Sequence, residues 1–110
     1  MADSKSELRE IKRFGGTPQP NSGRGKHKKG DATLGPFVVD VKEYSKSYSL
    51  SMGNWAKIST DAQTSGLYAP ALNIVLGDEG SPRARLWVVD EIMFMQMYEA
   101  WMEKQERDSE

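Results

Sequence analysis

The stretch that most restricts how this chain can fold is Phe37-Val38-Val39-Asp40-Val41-Lys42, an apolar, β-branched run that carries an acid and a lysine two residues apart. Valines at this density favour a strand. Side chains on a strand alternate between its faces, so Asp40 and Lys42 share one face, about 7 Å apart along the chain, while Val39 and Val41 point the other way into a core. Just upstream, Gly30-Asp31 is separated from this run by Thr33-Leu34-Gly35-Pro36, where the Gly-Pro pair signals a turn. A hairpin through that turn brings Asp31 back beside Asp40. Two carboxylates and one ammonium then share a small volume.

Such a set suits phosphodiester hydrolysis. That reaction needs a hard cation, held by oxygen ligands, to polarise a phosphoryl oxygen and lower the pKa of a bound water. Two carboxylates hold Mg²⁺ without neutralising it, and a lysine beside them can orient the water and offset charge gathering on phosphorus. The plainer alternative is the solvated polar face of a half-buried strand.

Read together, Ser22-Gly23, Gly30-Asp31 and Asp40-Val41-Lys42 resemble the PD-(D/E)xK nuclease superfamily. Within it the chain is most similar to the small archaeal and phage Holliday junction resolvases and their phage relatives. The resemblance covers roughly residues 5 to 90 and rests on four polar positions; Asp40 stands where these resolvases more often carry Glu. It implies a restriction-endonuclease-like core, a small mixed β-sheet flanked by helices. It also implies Asp31 and Asp40 as metal ligands, joined by the backbone carbonyl of Val41, with Lys42 as the catalytic lysine. A glutamate of the first helix completes the set, and Glu7 and Glu10 compete for that place. Glu7 is favoured for its distance from Asp31. The implied cofactor is Mg²⁺ or Mn²⁺, and the implied substrate is DNA, branched as in a four-way junction.

With 110 residues and no cysteine, a single domain spanning residues 1–110 is expected, without disulfides or cysteine zinc sites. His27 is the sole histidine, which excludes a histidine-rich metal centre. No segment has the apolar length of a membrane span or of a signal peptide, so the cytoplasm is the expected location, that of the host if a phage encodes the chain. The net charge of −1 conceals an asymmetry: residues 1–50 hold 10 Lys/Arg against 6 Asp/Glu, and residues 51–110 hold 5 against 10. The half with the carboxylate site is therefore the basic one, as a polyanionic substrate requires.

Along the chain, Leu8, Ile11 and Phe14 fall at helical spacing, which predicts an amphipathic helix over 4–14 with Ser4 or Ser6 as N-cap, stopped by Gly15-Gly16. Residues 15–31 contain five glycines, two prolines and the basic cluster Arg24, Lys26, His27, Lys28 and Lys29. This reads as a mobile basic loop over 15–30 that a DNA backbone could order, or as an ordinary solvated loop. The Gly23-x-Gly-Lys run lacks the spacing of a phosphate-binding P-loop. Ser45 and Lys46 follow the acid-bearing strand and could donate to phosphate oxygens.

A helix is expected over 52–65 with Trp55 and Ile58 in the core. Strands are expected over 69–76 and 86–89, joined by the turn Gly77–Pro82, where Asp78-Glu79 is turn chemistry rather than a paired-carboxylate site. From Asp90, an N-cap, a helix should run to about Gln105, leaving a frayed acidic tail over 104–110. Its apolar residues, Ile92 to Met102, cover more than one face. One side should pack on the sheet and leave a methionine- and aromatic-rich strip for a partner, most economically a symmetric homodimer. Two functions fit: a Mg²⁺-dependent endonuclease, or a nucleic-acid-binding or assembly protein of the same fold without catalysis.

Overall fold

The structure is a computed structural model that describes residues 4–19, 31–66 and 69–109. Its elements are α1 (Ser4–Phe14), β1 (Thr17–Pro18), β2 (Ala32–Leu34), β3 (Phe37–Tyr44), α2 (Met52–Thr64), β4 (Ala69–Leu76), β5 (Ala84–Val88) and α3 (Glu91–Asp108). Among the described residues the strands form one mixed sheet in the order β1-β2-β3-β4-β5. The protein is thus an α/β fold, with a five-stranded mixed sheet flanked by helices.

The hairpin expected between the two acids is present. Leu34 pairs with Phe37, which leaves Gly35-Pro36 as a two-residue turn. Gly35 has φ +54; a positive φ followed by proline's fixed negative one is what a II′ hairpin turn asks of its centre. β3 and β4 then run parallel, connected through α2, while β4 and β5 form an antiparallel hairpin.

Strand alternation divides the core between the two faces of the sheet. Val39 and Val41 of β3 and Ala71 of β4 pack with Ile11, and Phe14 and Phe37 close around them, so α1 covers this face. Leu72 and Ile74 point the other way and meet Ile58 and Trp55 of α2. Ile11 and Ile58 are each almost wholly removed from water, and burying one such side chain contributes about 1.5–3 kcal/mol. That packing fixes how each helix is rotated against the sheet. Ser51 caps α2 by accepting from the amide of Asn54 at 3.1 Å.

Three expectations need correction. Ser6 is not an N-cap: the helix begins at Ser4, and Ser6 is buried inside its first turn. The loop expected from residue 15 begins with a strand, because Thr17 and Pro18 pair with Thr33 and Ala32 at the sheet edge; an edge strand tolerates Pro18, which has no N–H to give. The largest difference concerns the last helix. It starts at Asp90, whose carboxylate caps the amide of Met93 at 2.9 Å, and it continues past Gln105 to Asp108. None of its residues is buried, so it does not lay one side on the sheet. It stays off the sheet although Leu86 and Trp87 of β5, one on each face, are left 48% and 42% exposed. Among the described residues no helix is long and apolar enough to cross a membrane.

Candidate active site

β3 is the platform of the site. On its α2-facing side, Asp40 and Lys42 stand two residues apart, both half-buried, as the alternation of the strand requires. Asp31 precedes β2, which is too short to pair along the whole of β3. Its backbone amide donates to the carbonyl of Val39 at 3.0 Å. Its side chain then takes over where the ladder ends: the Asp31 carboxylate accepts from the amide of Val41 at 2.7 Å. Residues 39 and 41 direct their backbone groups to the same edge of the strand, so the carbonyl of Val41 also opens on this side.

Glu7 reaches the same place from α1. Its carboxyl group is hydrogen-bonded to that of Asp31, and it lies within electrostatic range of Asp40, Glu43 and Lys42. The four polar positions singled out in the sequence, Glu7, Asp31, Asp40 and Lys42, lie within electrostatic range of one another, Glu7 on the α1 side of β3 and Asp40 and Lys42 on the α2 side. Their ionisation reflects it. Burial, with the charge of Glu7 added, pushes Asp31 up to about 6, although the Val41 amide favours its charged form. Burial and the neighbouring charge of Asp31 likewise push Asp40 up to about 6. Lys42 opposes both shifts without cancelling them. Glu7 is raised as well, by burial first and then by Asp40 and Glu43. Burial and mutual repulsion thus disfavour full ionisation of the three acids, and Lys42 opposes this. From α2, Asp61 adds to the repulsion at Asp40 and Lys57 relieves it; these two are themselves paired at 3.2 Å.

Glu10, the competitor for the helix position, is committed elsewhere. It is buried, and its Oε1 accepts from Arg13 at 2.8 Å and from Arg85 of β5 at 3.0 Å. Burial raises its pKa, but these two guanidinium groups outweigh burial and hold it below the usual carboxylate value.

Sequence reasoning missed a second polar cluster beside the first. Glu43 stands on the α1 face in phase with Val39 and Val41, where an apolar residue belongs, and it is buried. It accepts from the hydroxyl of Ser6 at 2.9 Å and from Arg83 at 2.9 Å. The signal was available: an acid in the core phase of a strand requires a buried partner. Ser6 and Arg83 also line an open cavity of about 290 Å³ with Arg9, Glu10, Glu79 and Arg85.

Of the residues expected to bind DNA, Ser45 and Lys46 are exposed in the bend after β3. Arg24, Lys26, Lys28 and Lys29 lie outside the described residues, as do Ser22, Gly23, His27 and Gly30. Among the described residues no three Asp, Glu, His or Cys side chains stand ready in metal-ligand geometry. Glu7, Asp31 and Asp40 perturb one another's ionisation without being so arranged. No family model, curated protein or solved structure matches this chain.

Proposed function

We propose that this protein is a metal-dependent endodeoxyribonuclease acting on branched DNA, with a restriction-endonuclease-like core and a site formed by Glu7, Asp31, Asp40 and Lys42. One observation carries the reading: three carboxylates from three separate segments lie within electrostatic range of one another and of Lys42, and none of them forms an ion pair among the described residues. A structural ion-pair cluster would be balanced, as the one around Glu10 and Glu43 is. The topology supports it too, since a helix, an acid-bearing hairpin and a helical crossover to a parallel strand are what the resemblance to PD-(D/E)xK nucleases implies.

The donor set suits Mg²⁺ or Mn²⁺, because hard oxygen ligands in a half-buried site with excess negative charge favour a divalent cation over the protons held there. Asp31, Asp40 and the Val41 carbonyl would hold it, and when bound it would supply Lewis acidity toward the phosphate and a more acidic water. The remaining tasks belong to the chain. The Val41 amide fixes the Asp31 carboxylate in place. Glu7, whose pKa is raised by burial first, can act as the base toward a water. Lys42 can hold that water by hydrogen bonding and offset negative charge on the phosphate.

The test is cleavage of a labelled four-way junction, with linear duplex and single-stranded controls, in Mg²⁺ or Mn²⁺, with Asp40→Asn as the blank. Symmetric cutting of the junction alone, lost in Asp40→Asn, is the expected result. Cutting of all substrates keeps the nuclease and removes the junction. Binding of the junction without any cutting leaves the non-catalytic nucleic-acid-binding alternative.

A further inference from the structure

The open cavity of about 290 Å³ has no apolar side chain in its lining, so an apolar ligand has nothing to pack against there. It adjoins the carboxylate site. Ser6 on its wall precedes Glu7 in α1, and Glu43, which accepts from both Ser6 and Arg83, lies within electrostatic range of Glu7. The floor of the cavity is closed. Arg83 and Glu43 hold each other with side chains only 10% and 3% exposed, and Glu10 faces two guanidinium groups, Arg13 and Arg85. Among the described residues of this cluster, Arg9, Arg13, Arg83 and Arg85 stand against Glu10, Glu43 and Glu79, which leaves one positive charge in excess.

The rim is different. Glu79, in the turn between β4 and β5, reaches α1, where its Oε1 accepts from Arg9 at 3.0 Å and lies 3.0 Å from the Ser6 hydroxyl. That hydroxyl has one proton to give, and the buried Glu43 carboxylate competes for it at 2.9 Å. Glu79 is therefore held chiefly by Arg9, in a pair whose side chains are both mostly exposed; such a pair is weak and exchanges readily. Of the five N–H groups of a guanidinium, Arg9 commits one to Glu79, and Arg85 commits two to Glu10. A carboxylate oxygen is thus lodged, replaceably, among cations with donors left over.

We propose that this cavity is a subsite for a phosphate group of the DNA backbone, contacted by Arg9 and by the remaining donors of Arg85, with Glu79 holding the place of a phosphate oxygen until DNA displaces it. Guanidinium groups pair with phosphate bidentately, and a phosphate offers them more oxygens than the one carboxylate oxygen it replaces. An open cavity suits one unit of a passing polymer, whereas a small molecule is held by enclosure. The inference rests on DNA as the ligand in the function proposed above, and not on cleavage.

The experiment is fluorescence anisotropy of a labelled four-way junction with the full chain, without divalent metal so that no cutting intervenes, over a range of salt concentrations. Arg9→Ala should raise the dissociation constant about 10-fold at low salt and reduce the slope of its logarithm against that of salt by about one, a single phosphate contact being lost. Its urea midpoint should stay close to the native one, which a structural role for Arg9 would not allow. Glu79→Gln should tighten binding about threefold, because the competing carboxylate is gone. Arg107→Ala, in the last turn of α3, should leave the slope unchanged. Millimolar inorganic phosphate should displace the junction no more than chloride of equal ionic strength; stronger displacement, absent in Arg9→Ala, would make this a site for free phosphate and overturn the DNA assignment. An unchanged Arg9→Ala, an equal effect of Arg107→Ala, or weaker binding by Glu79→Gln overturns the subsite even if the junction is cut. A junction bound as expected but never cut in Mg²⁺ removes the nuclease and leaves the subsite standing, and a native chain that does not bind it removes both.

Discussion

Glu7 and Glu10 sit three residues apart on the same face of the same helix, yet they enter two carboxylate clusters of opposite character. Around Glu10 and Glu43 every acid has a guanidinium: Arg13 and Arg85 on one, Arg83 on the other. Around Glu7, Asp31 and Asp40, among the described residues, no acid has a guanidinium partner, and Lys42 acts on all three. The balanced cluster joins α1 and β3 to β5 and the turn before it. The unbalanced cluster joins α1, the hairpin and β3 at a point where the β2 ladder stops. Compensation, not the presence of acids, separates a group that ties elements together from one suited to bind something else. A buried charge without a partner costs stability, so it persists where another role keeps it.

Activity should separate the two clusters most. Asp40→Asn should lower junction cleavage about 1,000-fold or more, since it removes a proposed ligand while keeping the shape of the site. Glu10→Gln should change the specific activity of the folded protein less than about threefold. Equal losses in the two variants would mean that the two clusters do not differ in function.

Stability should respond in the opposite sense. Arg83→Met strands Glu43 in the core and should cost about 3–5 kcal/mol in urea unfolding, whereas Arg83→Met combined with Glu43→Leu should recover much of the loss. Asp40→Asn should instead gain about 1–3 kcal/mol at pH 7 without divalent metal, by removing a carboxylate that burial and Asp31 disfavour. A destabilised Asp40→Asn would mean that the acid is structural.

The two clusters also divide the pH axis. Asp31 and Asp40 have raised pKa values in the folded state, so the folded protein holds protons there that the unfolded chain releases. Their stabilising contribution is complete below the ordinary aspartate value and disappears as pH rises through about 6. Glu10 has a lowered pKa, so its contribution is complete above the ordinary glutamate value and is lost as pH falls through the lowered one. Urea midpoints should therefore peak on the acid side of neutrality, with Asp40→Asn flattening the fall toward pH 7 and Glu10→Gln flattening the fall at low pH. Mg²⁺ should raise the midpoint more at pH 7 than at pH 5, because at pH 5 it competes with bound protons. The smallest effect belongs to Arg9 and Glu79, an exposed pair at 3.0 Å with each side chain 62% exposed. Arg9→Ala should shift stability by no more than about 0.5 kcal/mol, checked by the same unfolding curves.

The local elements were written in the sequence. The spacing of Leu8, Ile11 and Phe14, the alternation about Asp40 and Lys42, the Gly35-Pro36 turn and the Asp90 cap each depend on residues within a turn or a few strand positions, and each forms where neighbouring residues predict it. The pairing of Asp31 with the Asp40 strand followed, because a two-residue hairpin fixes register by itself. What only the tertiary structure decided involves residues far apart in the chain. Glu7 and Glu10 are neighbours on the helix surface, and the rotation of α1, set by Ile11 in the core, turns one toward Asp31 and the other toward Arg85. Ser6 became a buried partner of Glu43 through the same packing. α3 carries an apolar face on every sequence criterion, but whether that face meets the protein's own sheet depends on contacts between distant residues. It does not meet it, although Leu86 and Trp87 of β5 are left exposed.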